Sequence, residues 1–421
     1  LSVRVHADCP QEFLAAVTNL VSKGTGFPAI HNDSVGYQML INAGYEPEDA
    51  RDWNNCGCVV PHYRKTGEWT AAVNVNFGCA LEYALNEGKS RMTGEKMGLS
   101  ERPCREFESY EEVKEAFYKQ FKNLCKHSII ATLEAQKLHQ EMVPRPFLSS
   151  CIEACLEDGK DLSNGGAKYN VGPVITGIGL AVVANSLAVI KKLVFEDKAA
   201  TMAELDAALA ANWEGFEELR AKAQAVPKYG NDDDYVDQLI VDAYDVYINE
   251  VKKYPNTRYG RGPIGGTRYA GTSSISANVG QGKGTLATPD GRNAATPLAE
   301  GCSPSHGMDK NGPTAVFKTV SKLPTHEITG GVLLNQKMTP QMLSSEENKQ
   351  KLEMMIRTFF NRLDGYHVQY NVVSRDTLLD AQKHPQKHRD LIVRVAGYSA
   401  FFNVLSRQTQ DDIIERTEQT L

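Results

Sequence analysis

Apolar residues recur at helical spacing along much of the chain, interrupted by short β-like runs. The 3.6-residue period predicts helices over 12–22, 35–43, 71–86, 110–141, 178–195, 202–225, 234–253, 346–362, 376–383 and 409–420. Short runs rich in β-branched and aromatic residues predict strands over 27–30, 275–279, 331–334, 366–373 and 392–395. Helices alternating with short apolar strands indicate an α/β architecture with largely parallel pairing. There is no internal repeat and no low-complexity tract. Residues 256–313 break the pattern with an unusual share of Gly, Pro, Ser and Thr. A loop of that length is functional or disordered. The embedded "SSISANV" and the "TPDGR" turn favour an ordered loop.

Composition narrows the classes. The 421 residues are 41% hydrophobic with a formal net charge of −6, which suits a soluble globular protein with a large core, as one big α/β domain or two smaller ones. That balance leaves no electrostatic footprint for nucleic acid. No apolar run approaches the roughly 18–20 residues that cross a bilayer, so no membrane partner is expected. The chain opens "LSVRVHADCP", without an initiator Met, a basic n-region or a signal-like apolar stretch, and reads as the middle of a longer sequence. Nine scattered cysteines argue against a disulfide framework and for a reducing compartment. Cys56/Cys58 and Cys151/Cys155 lack a matching Cys or His pair, and Asp158 stands where a three-cysteine cluster site needs its third ligand. No metal is expected.

Familiar catalytic motifs fail on inspection. "EGKS" at 87–90 has Tyr83 where a phosphate loop needs its first glycine. "VGQGKGTLA" lacks the dinucleotide spacing, "HEITG" lacks the second His of a zinc protease, and no nucleophile elbow is present.

Two segments remain. In "RDWNNCGCVVPHYRKTG", residues 51–67, Gly57 and Pro61 confine Cys58 to a tight loop flanked by Asn54, Asn55 and His62. Cys58 is then either an inert loop cysteine or a thiolate nucleophile beside a base such as His62. In "LIVRVAGYSAFF", residues 391–402, Gly397 interrupts a strand pattern, which marks a bulge or a close backbone approach.

On these segments the chain resembles the glycyl radical enzymes, the pyruvate formate-lyase-like superfamily. "IVRVAGYSA", with Arg394, Gly397 and Tyr398 in place, matches their C-terminal radical motif, and "GCVVP" resembles their cysteine loop about 340 residues upstream. "ATPDGRNAATPLAEGCSP", "LLNQK" and "HVQYNVVSRDTLLDAQ" are also typical phrases, in the right order. The resemblance implies a ten-stranded α/β barrel of two five-stranded half-sheets, with the Cys and Gly loops meeting inside. Family members are about twice this length, so the chain corresponds to their C-terminal half: residues 1–300 a barrel portion carrying the cysteine loop, 301–421 the glycine radical domain. The implied catalytic residues are Cys58 and Gly397. A radical at the glycine Cα is delocalised over the flanking amide nitrogen and carbonyl, and the Cys58 thiol carries it to substrate. No bound cofactor or metal is implied. A separate activating enzyme, using S-adenosylmethionine and an iron–sulfur cluster, installs the radical on Gly397. A homodimer in an anaerobic cytoplasm is implied, acting on a small molecule.

The reaction is read from the cysteine loop. Gly57 separates Cys56 from Cys58, against the adjacent cysteines of pyruvate formate-lyase. Diol dehydratases and the choline C–N lyase carry a general-base Glu two residues after the cysteine, where this chain has Val60. Trp53-Asn54-Asn55, "GGVLLNQK" and "HVQYNVV" resemble the arylacetate decarboxylase and arylsuccinate synthase branch. The expectation is radical decarboxylation of an arylacetate. Addition to fumarate, dehydratase or C–N lyase elimination, and an inactive fragment are the alternatives. His62, Tyr63 and Arg64 are candidates for binding the substrate carboxylate, or else a solvated cluster. The presence of Cys58 favours an enzyme over a short radical-supplying partner.

Overall fold

The computed structural model describes residues 1–67, 72–256, 268–273 and 275–419. Five strands make the main sheet, in the order Ser2–Val5, Ala29–Asn32, His367–Val372, Asn335–Met338, Glu418–Gln419. Ala29–Asn32 and His367–Val372 pair antiparallel, and every other pair is parallel. A second sheet of three parallel strands, Ala72–Asn76, Val174–Ile178 and Ala270–Gly271, lies elsewhere in the same core. Ala29–Asn32 and the central strand, His367–Val372, are buried along their whole length, as befits a sheet covered on both faces. The α/β class expected from the periodicity is the one observed.

Several elements depart from their expected form for local reasons. Over 71–86, Ala72–Asn76 is a strand because its apolar positions alternate, and the helix starts only at Phe77. Asn76 caps it, its side-chain oxygen accepting the Cys79 amide at 3.0 Å. The 202–225 helix is two, Met202–Ala210 and Glu217–Ala225, because Asn212, Trp213 and Gly215 all take left-handed φ. At 275–279 there is no strand. Ile275 and Ser276 sit at φ +48° and +64°, which no strand tolerates, and a helix, Ala277–Lys283, follows. The strand expected over 331–334 lies instead at Asn335–Met338.

Part of the Gly-rich segment, 257–267 and 274, lies outside the described residues. The rest is ordered around the "TPDGR" turn. Asp290 is buried and accepts from the Thr288 hydroxyl at 2.6 Å, while the Arg292 guanidinium donates to the carbonyls of Thr285, Leu286, Asn293 and Thr296.

The C-terminal segment has a small core of its own. Val373, Leu378, Ala381, Val393, Val395, Phe402, Ile413 and Ile414 pack together, separate from the main cluster. This satellite core carries the hairpin that holds Gly397.

Candidate active site

Cys58 sits at the tip of a hairpin. Strand Asn54–Cys56 turns through Gly57, Cys58 and Val59 into Val60–His62, with Cys56 opposite Val60. Gly57 supplies a left-handed φ of +62° that a side chain would resist. The Asn55 side chain closes the turn, its Nδ2 donating to the carbonyls of Gly57 at 2.9 Å and Cys58 at 3.1 Å. From the body, the buried Tyr366 hydroxyl donates to the Val59 carbonyl at 2.7 Å. Replacing Tyr366 by Phe removes that donor and no volume elsewhere. The expected result is a loss of about 1–3 kcal/mol in urea unfolding, the cost of a buried carbonyl left unpaired, with an unchanged circular dichroism spectrum.

The glycine segment is a second hairpin, Ile392–Arg394 against Ser399–Phe401, with the Val395 amide donating to the Tyr398 carbonyl at 2.8 Å across the turn. Gly397 is therefore a turn residue and not a bulge. Two independent facts require glycine there. Its φ is +78°, and an ideal Cβ on it would lie 2.1 Å from both Cβ and Sγ of Cys58. Since a carbon–carbon bond spans about 1.5 Å, the Gly397 Cα is no more than about 3.6 Å from the Cys58 sulfur. The two residues singled out from sequence thus meet, and the sulfur also stands 3.6 Å from the Ala396 carbonyl oxygen.

Buried polar groups hold this hairpin against the main sheet. Asn371 pairs with both backbone groups of Arg394, accepting its N–H and donating to its carbonyl at 2.7 Å each. The Val395 carbonyl accepts from Arg416 at 2.8 Å and from Asn335 at 3.2 Å. The Arg394 guanidinium donates to Gln369 at 2.6 Å, and Asp412 orients Arg416 at 2.8 Å. None of Asn335, Gln369, Asn371 or Arg416 was singled out from sequence. The available signal was a set of amide side chains on strands that are otherwise fully buried.

The electrostatics keep the sulfur protonated. Burial pushes the Cys58 thiol above its ordinary value, against a smaller opposing pull from the Ser273 hydroxyl and the Arg394 guanidinium. Burial also pushes His31, which faces the Cys58 backbone, down to about 3, and drives its neighbour His367 well below the usual range. Neutral imidazoles supply no cation to stabilise a thiolate. The site is built for an S–H bond.

Beside Cys58 lies a cavity of about 80 Å³, whose walls include Cys56, Val60, Val174, Thr176, Ser273 and Ile275. Val60 presents hydrocarbon where an elimination base was looked for. His62, Tyr63 and Arg64 do not line this cavity. Tyr63 is buried with its ring edge-on to Tyr169, and Arg64 lies at the surface with its guanidinium 5.9 Å from the Tyr63 ring centre. A larger cavity, about 600 Å³ between Arg220, Lys283, Arg292 and Asp411, contains neither Cys58 nor Gly397. Among the described residues no helix is long and apolar enough to cross a membrane, and no group of three or more His, Cys, Asp or Glu is placed to hold a metal ion.

The pyruvate formate lyase-like family matches residues 1–282, and the glycine radical family matches residues 298–403. The chain is 47% identical to the probable dehydratase YbiW of Escherichia coli (strain K12), over all of this chain and 53% of that protein. It is 39% identical to the trans-4-hydroxy-L-proline dehydratase of Clostridioides difficile, over all of this chain and 52% of that protein. An indoleacetate decarboxylase from Tractidigestivibacter scatoligenes is 34% identical over 94% of this chain and 47% of its own. The glycerol-bound form of the B12-independent glycerol dehydratase from Clostridium butyricum superposes with a TM-score of 0.95 at 40% identity, covering this whole chain and 52% of that one. The chain spans about half the length of the relatives it matches.

Proposed function

We propose, for a chain that belongs to the pyruvate formate lyase-like, glycyl radical family, that Gly397 and Cys58 exchange one hydrogen atom and that the Cys58 thiyl then acts on a small organic substrate in a lyase reaction. The contact between the Gly397 Cα and the Cys58 sulfur carries this reading. The hydrogen leaves Cys58 Sγ for the Gly397 Cα radical, which becomes an ordinary glycine. The thiyl takes hydrogen from a substrate C–H bond, and after the substrate radical rearranges, the product radical recovers that hydrogen from the thiol. Radical chemistry of this kind comes from the activated group, and the chain supplies position and exclusion of water. The activating enzyme is a separate S-adenosylmethionine-dependent partner, and the working assembly is a homodimer.

We assign the reaction to eliminations that break a carbon–heteroatom bond. The support is the identity to two dehydratases and the superposition on a third. Arylacetate decarboxylation is the second reading. The decarboxylase relative favours it, whereas Val60, a hydrocarbon side chain that cannot move a proton, favours neither reading. The activated protein, offered glycerol, 1,2-propanediol, trans-4-hydroxy-L-proline and indoleacetate in turn, is expected to dehydrate one of the first three. Release of carbon dioxide from indoleacetate, with no dehydration, would give the assignment to the decarboxylases.

A further inference from the structure

Glu300 is an acidic residue in a place that neither the hydrogen-atom path nor the cavity uses. It is 2% exposed, and its Oε1 has no hydrogen-bond partner among the described residues. Its Oε2 accepts from the Asn335 side-chain amide and from the Ser303 hydroxyl at 3.4 Å. The same Asn335 nitrogen donates to the Val395 carbonyl at 3.2 Å, two residues before Gly397. The Asn335 carbonyl oxygen accepts from Gln369, whose own oxygen accepts from Arg394, and the Ser303 hydroxyl accepts the Asn335 backbone N–H at 3.0 Å. Every polar atom of the Asn335 side chain is thus committed, which leaves its amide one orientation.

We propose that Glu300 and Asn335 are positioning residues for radical transfer: Glu300 fixes the Asn335 amide, and Asn335 holds the Val395 carbonyl so that the Gly397 Cα stays against the Cys58 sulfur. This rests on the hydrogen-atom exchange proposed above.

The charges around Glu300 set how the clamp responds to pH. Arg416 and Asp412 face it from the C-terminal helix and its end, Arg394 from the glycine hairpin, Cys58 from the cysteine loop and Cys302 from its own segment. His306, Asp309 and Lys337 line the small space beside it. Burial outweighs Arg416 and, with Asp412, lifts its carboxyl to about 8. At neutral pH the group is uncharged, and the two donors on the Val395 carbonyl, Asn335 and Arg416, stay there. Above about pH 8 a carboxylate competes for both of them. The hold on the glycine turn weakens as pH rises.

A substrate-free readout exists. In D2O the Cys58 thiol becomes S–D and gives its deuterium to the Gly397 radical; when the thiyl takes back the original α-hydrogen, which exchanges with solvent as S–H, the regenerated glycyl radical carries deuterium, so its doublet in electron paramagnetic resonance collapses to a singlet. With the activated protein, Asn335→Leu is expected to keep the doublet but slow its collapse by about tenfold or more, the cost of a small misplacement of reacting atoms. The wild-type collapse is expected to slow between pH 7 and 8.5, while Glu300→Gln, which keeps the amide-facing oxygen without a titrating proton, matches wild type at pH 7 and stays flat. Collapse at the wild-type rate in Asn335→Leu, or the same pH profile in wild type and Glu300→Gln, overturns the proposal. If Asn335→Leu does not activate, the two pH profiles decide alone. A wild-type doublet that never collapses would instead remove the underlying exchange reading.

Discussion

Gly397→Ala is expected to abolish the radical doublet and turnover together, to the detection limit of both. Two arguments converge on that position. A Cα radical is stabilised by a planar centre conjugated with both flanking peptide groups, and a methyl group crowds that plane. The methyl also has nowhere to go, since a Cβ there would stand 2.1 Å from Cys58 Cβ and Sγ. The hairpin must then retreat from the cysteine loop, and a non-glycine residue at φ +78° adds about 1–2 kcal/mol of backbone cost. Anaerobic electron paramagnetic resonance with the activase present reads the first effect, and thermal unfolding reads the second. A variant that unfolds within a few degrees of wild type and shows no doublet isolates the chemical loss. A doublet of normal intensity in that variant would place the radical on another residue and remove Gly397 from the mechanism. Air exposure adds a check, because oxygen cleaves the backbone at a glycyl radical: the activated wild type is cut at Gly397, and the variant stays whole.

The two residues to which the exchange is assigned were legible in the sequence, and those that hold them were legible only as phrases. Gly397 and Cys58 stood out because a glycine inside a β-like run and a cysteine in a Gly/Pro-bounded loop each contradict their surroundings. "LLNQK" contains Asn335, "HVQYNVV" contains Gln369 and Asn371, and "PLAEGCSP" contains Glu300, yet no periodicity reveals that Asn335 reaches the Val395 carbonyl, that Glu300 and Gln369 hold its amide, or that Asn371 holds the Arg394 backbone. That arrangement depends on the parallel register that sets Asn335 beside Gln369. The His62-Tyr63-Arg64 segment shows how neighbours in sequence part in space, because Tyr63 turns into an aromatic packing site and Arg64 turns out to solvent. Left-handed residues also escaped the pattern. Nothing in "SSIS" signals that Ile275, a β-branched residue, adopts φ +48° beside the Cys58 cavity and so ends any strand there.

Cys58→Ser separates the two halves of the exchange and is expected to give the complementary phenotype. Serine is close to isosteric with cysteine, and its hydroxyl can donate to the Ala396 carbonyl that the thiol now approaches at 3.6 Å, so folding stability should change by no more than about 1 kcal/mol. The chemistry does change. An O–H bond is much stronger than the glycyl Cα–H bond, whereas an S–H bond is close to it, so Gly397 cannot draw hydrogen from serine at a useful rate. The activase still reaches Gly397, and the doublet forms at normal intensity. Turnover of any substrate falls to background. In D2O the doublet stays a doublet, because the Cys58 side chain against the Gly397 Cα no longer delivers deuterium to it. Set beside Gly397→Ala, which loses the signal itself, this variant orders the steps: radical on glycine first, thiyl second, substrate third. Turnover surviving in Cys58→Ser would mean that substrate meets the glycyl radical directly, or through Cys56 on the same cavity wall, and the arrangement of the two hairpins would need another explanation.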